Sequence, residues 1–465
     1  MINSVLTIDF GSTYTKVVAV NLDNGEVIGT SQAGTTVEDN IMIGLDKALK
    51  ELYRLTGKIK FNRKLACSSA AGGLRMVAVG FVKELTSEAA NRAALGAGAR
   101  VVDVFSYGLD DQELEEIVDI DPDIILLAGG TDGGNKAILI HNAEKLSQSP
   151  LKSPIILAGN KKAAKQASDI LRDRDKEVIV TENVMPQFNE LNVGPARKAI
   201  REIFMRRIVL AKGLDKAHSF VDNILMPTPM AILSAAELLA KGTEDEEGMG
   251  ELLVVDVGGA TIDVHSVAEG NPTGNSVFKG LPEPYLKRTV EGDLGIRYNS
   301  LNILDRVGEK GILDKAGLSP DHSSDLKSYL ERATKMTNTL PADGLEAKFD
   351  LGMSLAAVKI ATERHAGTIE MLYTPDGPVN IQVGKDLTEV KTVIGTGGIF
   401  AFGTYGDMIL KGVLYDSQEP FCLKPKAPKL YLDRRYILFT VGLLSEFFPD
   451  QSLKIAKRYI IERNL

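Results

Sequence analysis

The sequence predicts an α/β chain of two similar lobes with a parallel α/β unit inserted into it, and three observations carry that prediction. A strand–turn–strand run with an aspartate near the end of its first strand occupies residues 8–16, and the same arrangement returns at residues 254–264. Between them, from about residue 76 to residue 183, short β-rich runs alternate with helical runs, as they do where crossover helices join parallel strands. A glycine-rich turn at residues 393–401 follows a third apolar strand.

Taken in order, residues 4–10, 16–21 and 26–30 read as three strands, with Asp23-Asn24-Gly25 as the second turn, which makes a meander. Ile41, Leu45, Ala48, Leu49 and Leu52 recur at helical spacing over residues 41–55, and 64–68 is the next strand. The inserted unit is expected to have strands at 76–81, 100–105, 123–128, 154–158 and 177–181, with helices at 87–96, 111–118, 135–146 and 161–172. Residues 196–212 form a basic helix carrying Arg197, Lys198, Arg201, Arg206, Arg207 and Lys212, read as a solvated connector because charge runs usually face water. A helix with a proline-rich start spans 227–239, and an acidic loop at 243–251 leads into the second strand–turn–strand run. The expected organisation is therefore 1–75 as the start of lobe I, 76–195 as the insertion, 196–250 as connecting helices and 251–465 as lobe II.

Bulk properties narrow the function. The 465 residues exceed one ordinary core, and 44% hydrophobic with 25% charged residues is the mixture of a globular protein. A net charge of −8 argues against nucleic acid as a partner, since phosphate binders carry clustered basic surface. Cys67 and Cys422 stand far apart, so neither a disulfide framework nor a thiolate metal site is expected. No basic leader precedes the first strand, and the apolar run at 436–444 is short of the roughly 20 residues of a spanning helix, so a cytoplasmic protein with no membrane partner is expected. No Walker motif, G-x-G-x-x-G, H-E-x-x-H or spaced Cys/His cluster is present, and His365 reads as structural.

The chemistry sits in the turns. In the first, Asp9 precedes Gly11, Ser12, Thr13, Tyr14 and Lys16; in the second, Asp256 precedes Gly258, Gly259, Ala260 and Thr261. Glycine at a hairpin bend lets backbone N–H groups approach phosphate oxygens, and small hydroxyl residues add donors. Two such bends facing each other grip a polyphosphate. A carboxylate beside each bend holds the waters of Mg²⁺, which keeps much of its hydration and prefers oxygen partners, so Asp9 and Asp256 are the expected metal residues. Gly395, Thr396, Gly397 and Gly398 suit backbone contact with an adenosine or α-phosphate.

In this order the three segments resemble the phosphate-1, phosphate-2 and adenosine motifs of the actin, hexokinase and heat-shock ATPase superfamily. That resemblance implies a two-lobed actin-like (ribonuclease H-like) ATPase fold binding ATP and Mg²⁺. Residues 225–232, with the helix after them, are similar to the connecting helix before phosphate-2, and Thr228 stands where the heat-shock pattern has an acid that positions the attacking water. Over nearly its whole length the chain further resembles the MutL or GlmL proteins associated with glutamate mutase, unrelated to the mismatch-repair protein of similar name. The segments at 128–135 and 289–295 carry that likeness. It implies an ATP-dependent reactivating or chaperone factor whose partner is an adenosylcobalamin-dependent mutase, with weak ATPase activity, catalytic roles for Asp9, Asp256 and Thr228, and a homodimer among the assemblies allowed. The Asp-x-His-x-x-Gly pattern of the mutases themselves is absent. A small-molecule kinase and an actin-like nucleotide-binding scaffold are the alternative readings. The double-glycine loop at 129–134 is read either as a plain turn or as a second ligand site.

Overall fold

The computed structural model describes residues 3–36, 40–69, 73–95, 97–188, 190–210, 220–272, 276–281, 283–375 and 377–463. Lys212 of the expected basic helix lies outside the described residues, as does the side chain of Arg207. The chain divides into two compact units.

The first strands follow the sequence pattern closely. β1 (Ser4–Phe10), β2 (Tyr14–Asn21) and β3 (Glu26–Gly34) are antiparallel neighbours, and β4 (Arg63–Ser68) lies parallel to β1 after the helix Ile41–Thr56. Every residue of β1 is buried, because this strand is central and covered on both faces. The helix buries Ile41, Leu45, Ala48, Leu49 and Leu52, the stripe expected from its spacing, and the Asn40 side chain caps its start.

Next come β5 (Leu74–Gly80), β6 (Ala99–Ser106), β7 (Ile124–Leu127), β8 (Ile155–Leu157) and β9 (Val178–Val180), all parallel in the order β6-β5-β7-β8-β9. They build the second unit, which lies within Ala71–Ser219. Its core joins Val77, Val79, Ile125 and Leu127 to Leu139, Ala143 and Ala167 of the crossover helices. The helix expected at 87–96 starts earlier, at Lys83, because its first turn carries polar helix formers that leave no apolar stripe to mark it. The glycine-rich loop after β7 is closed on itself: Asp132 accepts from the Lys161 N–H and from Asn183, and the Asn160 amide donates to the carbonyls of Gly134 and Asn135. Helix Gly194–Leu210 belongs to this unit, with Arg197 donating to the Arg92 carbonyl.

β10 (Asn223–Pro227) returns to the first unit beside β4, completing the order β10-β4-β1-β2-β3. β11 (Leu252–Val257), β12 (Ile262–Val267), β13 (Val277–Lys279), β14 (Leu286–Glu291), β15 (Thr368–Thr374), β16 (Gly377–Val383), β17 (Thr392–Thr396), β18 (Lys429–Asp433) and β19 (Ile460–Arg463) follow. The large sheet runs β14-β12-β11-β17-β18-β19, and β13, β16 and β15 make a small separate one. In both large sheets the first strand is flanked on one side by two strands in antiparallel succession and on the other by two parallel strands. That is the ribonuclease H-like order. Its occurrence twice in one unit makes the fold actin-like, with the second unit as an inserted parallel α/β domain.

One core holds the two sheets together. Val5 and Val18 of the first and Val254 and Ile394 of the second share it with Ile232 and Leu239 of helix Thr228–Lys241 and Val441 and Leu444 of helix Leu438–Ser445. Those helices cross so closely that a Cβ on Gly442 would lie 1.7 Å from the Ala231 carbonyl oxygen. The apolar run at 436–444 is thus core, and no described helix is long and apolar enough to cross a membrane.

A buried histidine pair stands behind β12. His265 is fully buried with neither ring nitrogen hydrogen-bonded, while His365 meets Ser266 at 2.8 Å and Thr289 at 3.0 Å. Burial pushes His265 down to about 3 and holds His365 well below its ordinary value. Folded-state values below the unfolded ones mean that the stability tied to the neutral rings is fully present above the unfolded pKa near 6.5 and is lost as pH falls toward about 3. As pH falls below 6.5 toward 4, the stability measured by urea unfolding is expected to drop by about 1.4 kcal/mol per pH unit through His265, and His265→Leu is expected to flatten that slope.

Candidate functional site

The two aspartate-bearing bends are built alike. In the first the Gly11 N–H donates to the Tyr14 carbonyl at 3.2 Å; in the second the Gly258 N–H donates to the Thr261 carbonyl at 2.9 Å. Glycine is required at both, since a Cβ on Gly11 would lie 2.6 Å from the Tyr14 oxygen and one on Gly258 2.9 Å from the Thr261 oxygen. The carbonyls of Gly11 and Thr13 are taken by the hydroxyl and N–H of Thr35. Ser12 is exposed at the tip, and the Thr13 hydroxyl is buried with no hydrogen bond. The bends meet: a Cβ on Gly259 would stand 3.4 Å from Thr13 Oγ1.

Asp9 pairs in register with Lys16 across β1 and β2, and the Lys16 ammonium donates to Asp9 Oδ2 at 2.7 Å. Thr228, the first residue of its helix, donates to Asp9 Oδ1 at 2.6 Å, with the Cys67 thiol 3.7 Å from the same oxygen. Thr228 therefore braces the carboxylate. Lys16 also lies over the Tyr436 ring, 4.1 Å from its centroid. Burial pulls the Lys16 pKa down, but Asp9 and Tyr436 outweigh it and hold the ammonium charged.

Asp256 is the unsatisfied partner. Its Oδ1 is buried and accepts no hydrogen bond, and burial, then repulsion from Asp263, Asp9 and Asp433, pushes it up to about 7 against the attraction of Lys16. A buried carboxylate oxygen without a donor is costly, and it and the unpaired Thr13 hydroxyl are suited to a cation and an oxyanion respectively. Thr261, expected as a free donor, spends its hydroxyl on Asp263 at 3.0 Å.

The third glycine segment splits into two roles. Thr396 donates to buried Asp433 at 3.0 Å and Gly395 packs on Phe400 and Leu432, so both face inward. Gly397 has φ +107°, and a Cβ there would lie 2.3 Å from the Val257 oxygen at the root of the second bend. Gly398 opens the helix Gly398–Phe402 with no atom near its Cβ position. A cavity of about 110 Å³ lies between Lys16, Val17 and Val18 of β2, residues 30–32 of β3, and Phe402, Arg435 and Tyr436. Phe402 and Tyr436 meet edge-on, and Phe402 is 63% exposed, a flat apolar face beside the cation. Phe402, Arg435 and Tyr436 were not singled out by the sequence reading. The one available signal was their place just after the third glycine motif and after β18.

Comparison with known proteins identifies the family. A family model described as "MutL protein" matches residues 5–460. The chain belongs to the MutL family. A curated relative, "Protein MutL" of Clostridium tetanomorphum, is 48% identical over 463 residues, covering 99% of this chain and all of that one. Among solved structures, this MutL-family chain is similar to the activator of 2-hydroxyisocaproyl-CoA dehydratase from Clostridium difficile with bound ADPNP, at a TM-score of 0.32 and 10% identity over 100% of this chain and 99% of that one. It is also similar to a ligand-bound xylulose kinase from Lactobacillus acidophilus, at a TM-score of 0.37 and 11% identity over 100% and 93% of the two chains. The actin-like fold of the MutL-family chain rests on its own repeated strand order, not on these distant likenesses.

Proposed function

We propose that this protein is an ATP-binding reactivating factor for an adenosylcobalamin-dependent aminomutase, driven by closure of the two lobes on Mg²⁺–nucleotide. The observation that carries the nucleotide part is the meeting of the two bends beside a buried, unpartnered Asp256 oxygen. In this reading the N–H groups of Ser12–Tyr14 and Gly259–Thr261, with Lys16 and the Thr13 hydroxyl, hold the phosphates. Asp9 and Asp256 hold the waters of Mg²⁺, which when bound neutralises phosphate charge. Gly397 and Gly398 lie against the nucleoside side, and Phe402 and Tyr436 offer aromatic faces to the base.

Asp9 is held for this role by Thr228 and Lys16 in advance, so its orientation needs no rearrangement. Thr228, bound to that carboxylate and bearing no acid of its own, fits slow hydrolysis. Nucleotide shifts the lobe equilibrium only through contacts that differ between open and closed states, and a clamp made of one bend from each lobe supplies such contacts. The choice of an aminomutase as the partner rests on the likeness to the glutamate-mutase-associated proteins.

Capture from cell extract on the immobilised full chain tests the proposal. A cobalamin-dependent mutase retained in the presence of ATP or of ADP, but not both, is the expected result. No nucleotide-dependent retention, together with ADP release that requires an added sugar, would identify a kinase instead.

A further inference from the structure

We infer that Arg297 is a positioning residue for the second phosphate bend, tying it to the helix Gly344–His365 through a buried ion pair. The inference deepens the nucleotide-clamp reading and rests on it.

A peptide plane points its carbonyl and its following N–H in opposite directions, so fixing the carbonyls of a bend fixes where its N–H groups aim. The carbonyls of Gly258, Gly259 and Ala260 are taken by one short segment. The Ile296 N–H donates to the Gly258 oxygen at 3.2 Å, and the Arg297 and Tyr298 N–H groups donate to the Gly259 oxygen at 2.9 and 3.0 Å. The Asn299 amide donates to the Ala260 oxygen at 3.0 Å. Gly295 permits this approach, since a Cβ there would lie 2.2 Å from the Ala260 carbonyl. The N–H groups of Gly259, Ala260 and Thr261 are thereby turned away from this segment.

Arg297 fixes the segment in turn. It is 7% exposed and Asp350 2%, and the guanidinium grips the carboxylate with both ends of its fork, Nη1 to Oδ1 at 3.0 Å and Nη2 to Oδ2 at 2.7 Å. Its Nε donates to the Thr339 carbonyl and Nη1 also to the Ile296 carbonyl, both at 3.0 Å, and the Tyr329 hydroxyl donates to Asp350 at 2.8 Å. The Arg297 side chain also lies under Gly259: the position of a Cβ on that glycine is 3.6 Å from Arg297 Cβ and 3.7 Å from Cγ. A planar two-pronged fork sets both the angle and the depth of the segment, which a single ammonium on a flexible stem does not. A buried hydrogen-bonded network of this kind specifies one geometry, and here that geometry is the aim of the phosphate donors.

The test uses the full chain and calorimetric titration with Mg²⁺–ATP and, separately, with adenosine, which has no phosphate to feel the bend. Arg297→Lys keeps the charge and loses the fork. It is expected to weaken Mg²⁺–ATP binding roughly 10-fold or more while adenosine binding changes less than about 2-fold. Tyr329→Phe, which removes one donor to Asp350, is expected to move the same quantity in the same direction by roughly 3-fold, and it decides the matter if Arg297→Lys does not fold. Equal weakening of both ligands would mean a general effect on the fold and would overturn the inference, as would Mg²⁺–ATP affinity unchanged in a folded variant. A wild-type chain that binds no Mg²⁺–ATP would instead remove the nucleotide reading itself, and this role with it.

Discussion

Replacing Asp9 by asparagine is expected to weaken Mg²⁺–ATP binding by roughly 100-fold, about 2.7 kcal/mol, and to abolish the advantage that Mg²⁺ gives to ATP. Asparagine keeps the volume and still accepts from the Thr228 hydroxyl, so the bend it supports is preserved. What it removes is the negative charge that orients hydrated Mg²⁺ and that holds the Lys16 ammonium 2.7 Å away. Freed of that partner, Lys16 turns its whole charge to the phosphates, so binding of metal-free ATP is expected to be retained or improved. Titrations with ATP in Mg²⁺ and in a chelator separate the two effects. Equal losses in both conditions would show that Asp9 supports the bend and not the metal.

The second large effect is structural and falls on Gly397. Its φ of +107° is a backbone conformation that side-chain-bearing residues rarely adopt, and a Cβ there would come 2.3 Å from the Val257 oxygen and 2.9 Å from Val257 C and N. Val257 is the last residue of β11, paired with Ile262 of β12 and following Asp256, which is paired with Thr396 of β17, so it has little freedom to withdraw. Gly397→Ala therefore combines backbone strain with overlap against fixed main chain, and a loss of at least about 3 kcal/mol of stability is expected in urea unfolding. Gly398→Ala is the control. Nothing lies within 4 Å of its Cβ position, so its stability is expected to stay within about 0.5 kcal/mol of wild type. Equal behaviour of the two variants would remove the packing argument.

These expectations separate what the sequence displays from what only the fold brings about. The bends were legible because each is local: strand, aspartate, glycine and hydroxyl residues lie within a few positions, and hairpin geometry makes them neighbours whatever the rest of the chain does. The return of the strand–turn–strand motif was legible for the same reason, whereas the parallel strands that complete each sheet's order are paired across long spans of chain. Within the third glycine motif the sequence did not distinguish inward from outward residues. Thr396 and Gly395 turn into the core because β17 is sandwiched between β11 and β18, and that neighbourhood is set by pairings far apart in the chain. Arg297 and Asp350 escaped notice for a similar reason. They lie 53 positions apart, and nothing in either local pattern announces an ion pair behind a loop. Thr228 was singled out only by its place in a proline-led helix where the heat-shock pattern has an acid, and its contact with Asp9 spans 219 positions, brought about by the packing of β10 on β4.

The claim on which the rest depends is that both bends serve one Mg²⁺–nucleotide, and the thermal response of the free chain to Mg²⁺–ATP measures it most directly. Wild type is expected to melt several degrees higher with saturating Mg²⁺–ATP, as ligand binding to the folded state alone requires, and Asp256→Asn on the opposite bend is expected to lose that shift as Asp9→Asn does. A shift in Asp256→Asn as large as in wild type would contradict the account.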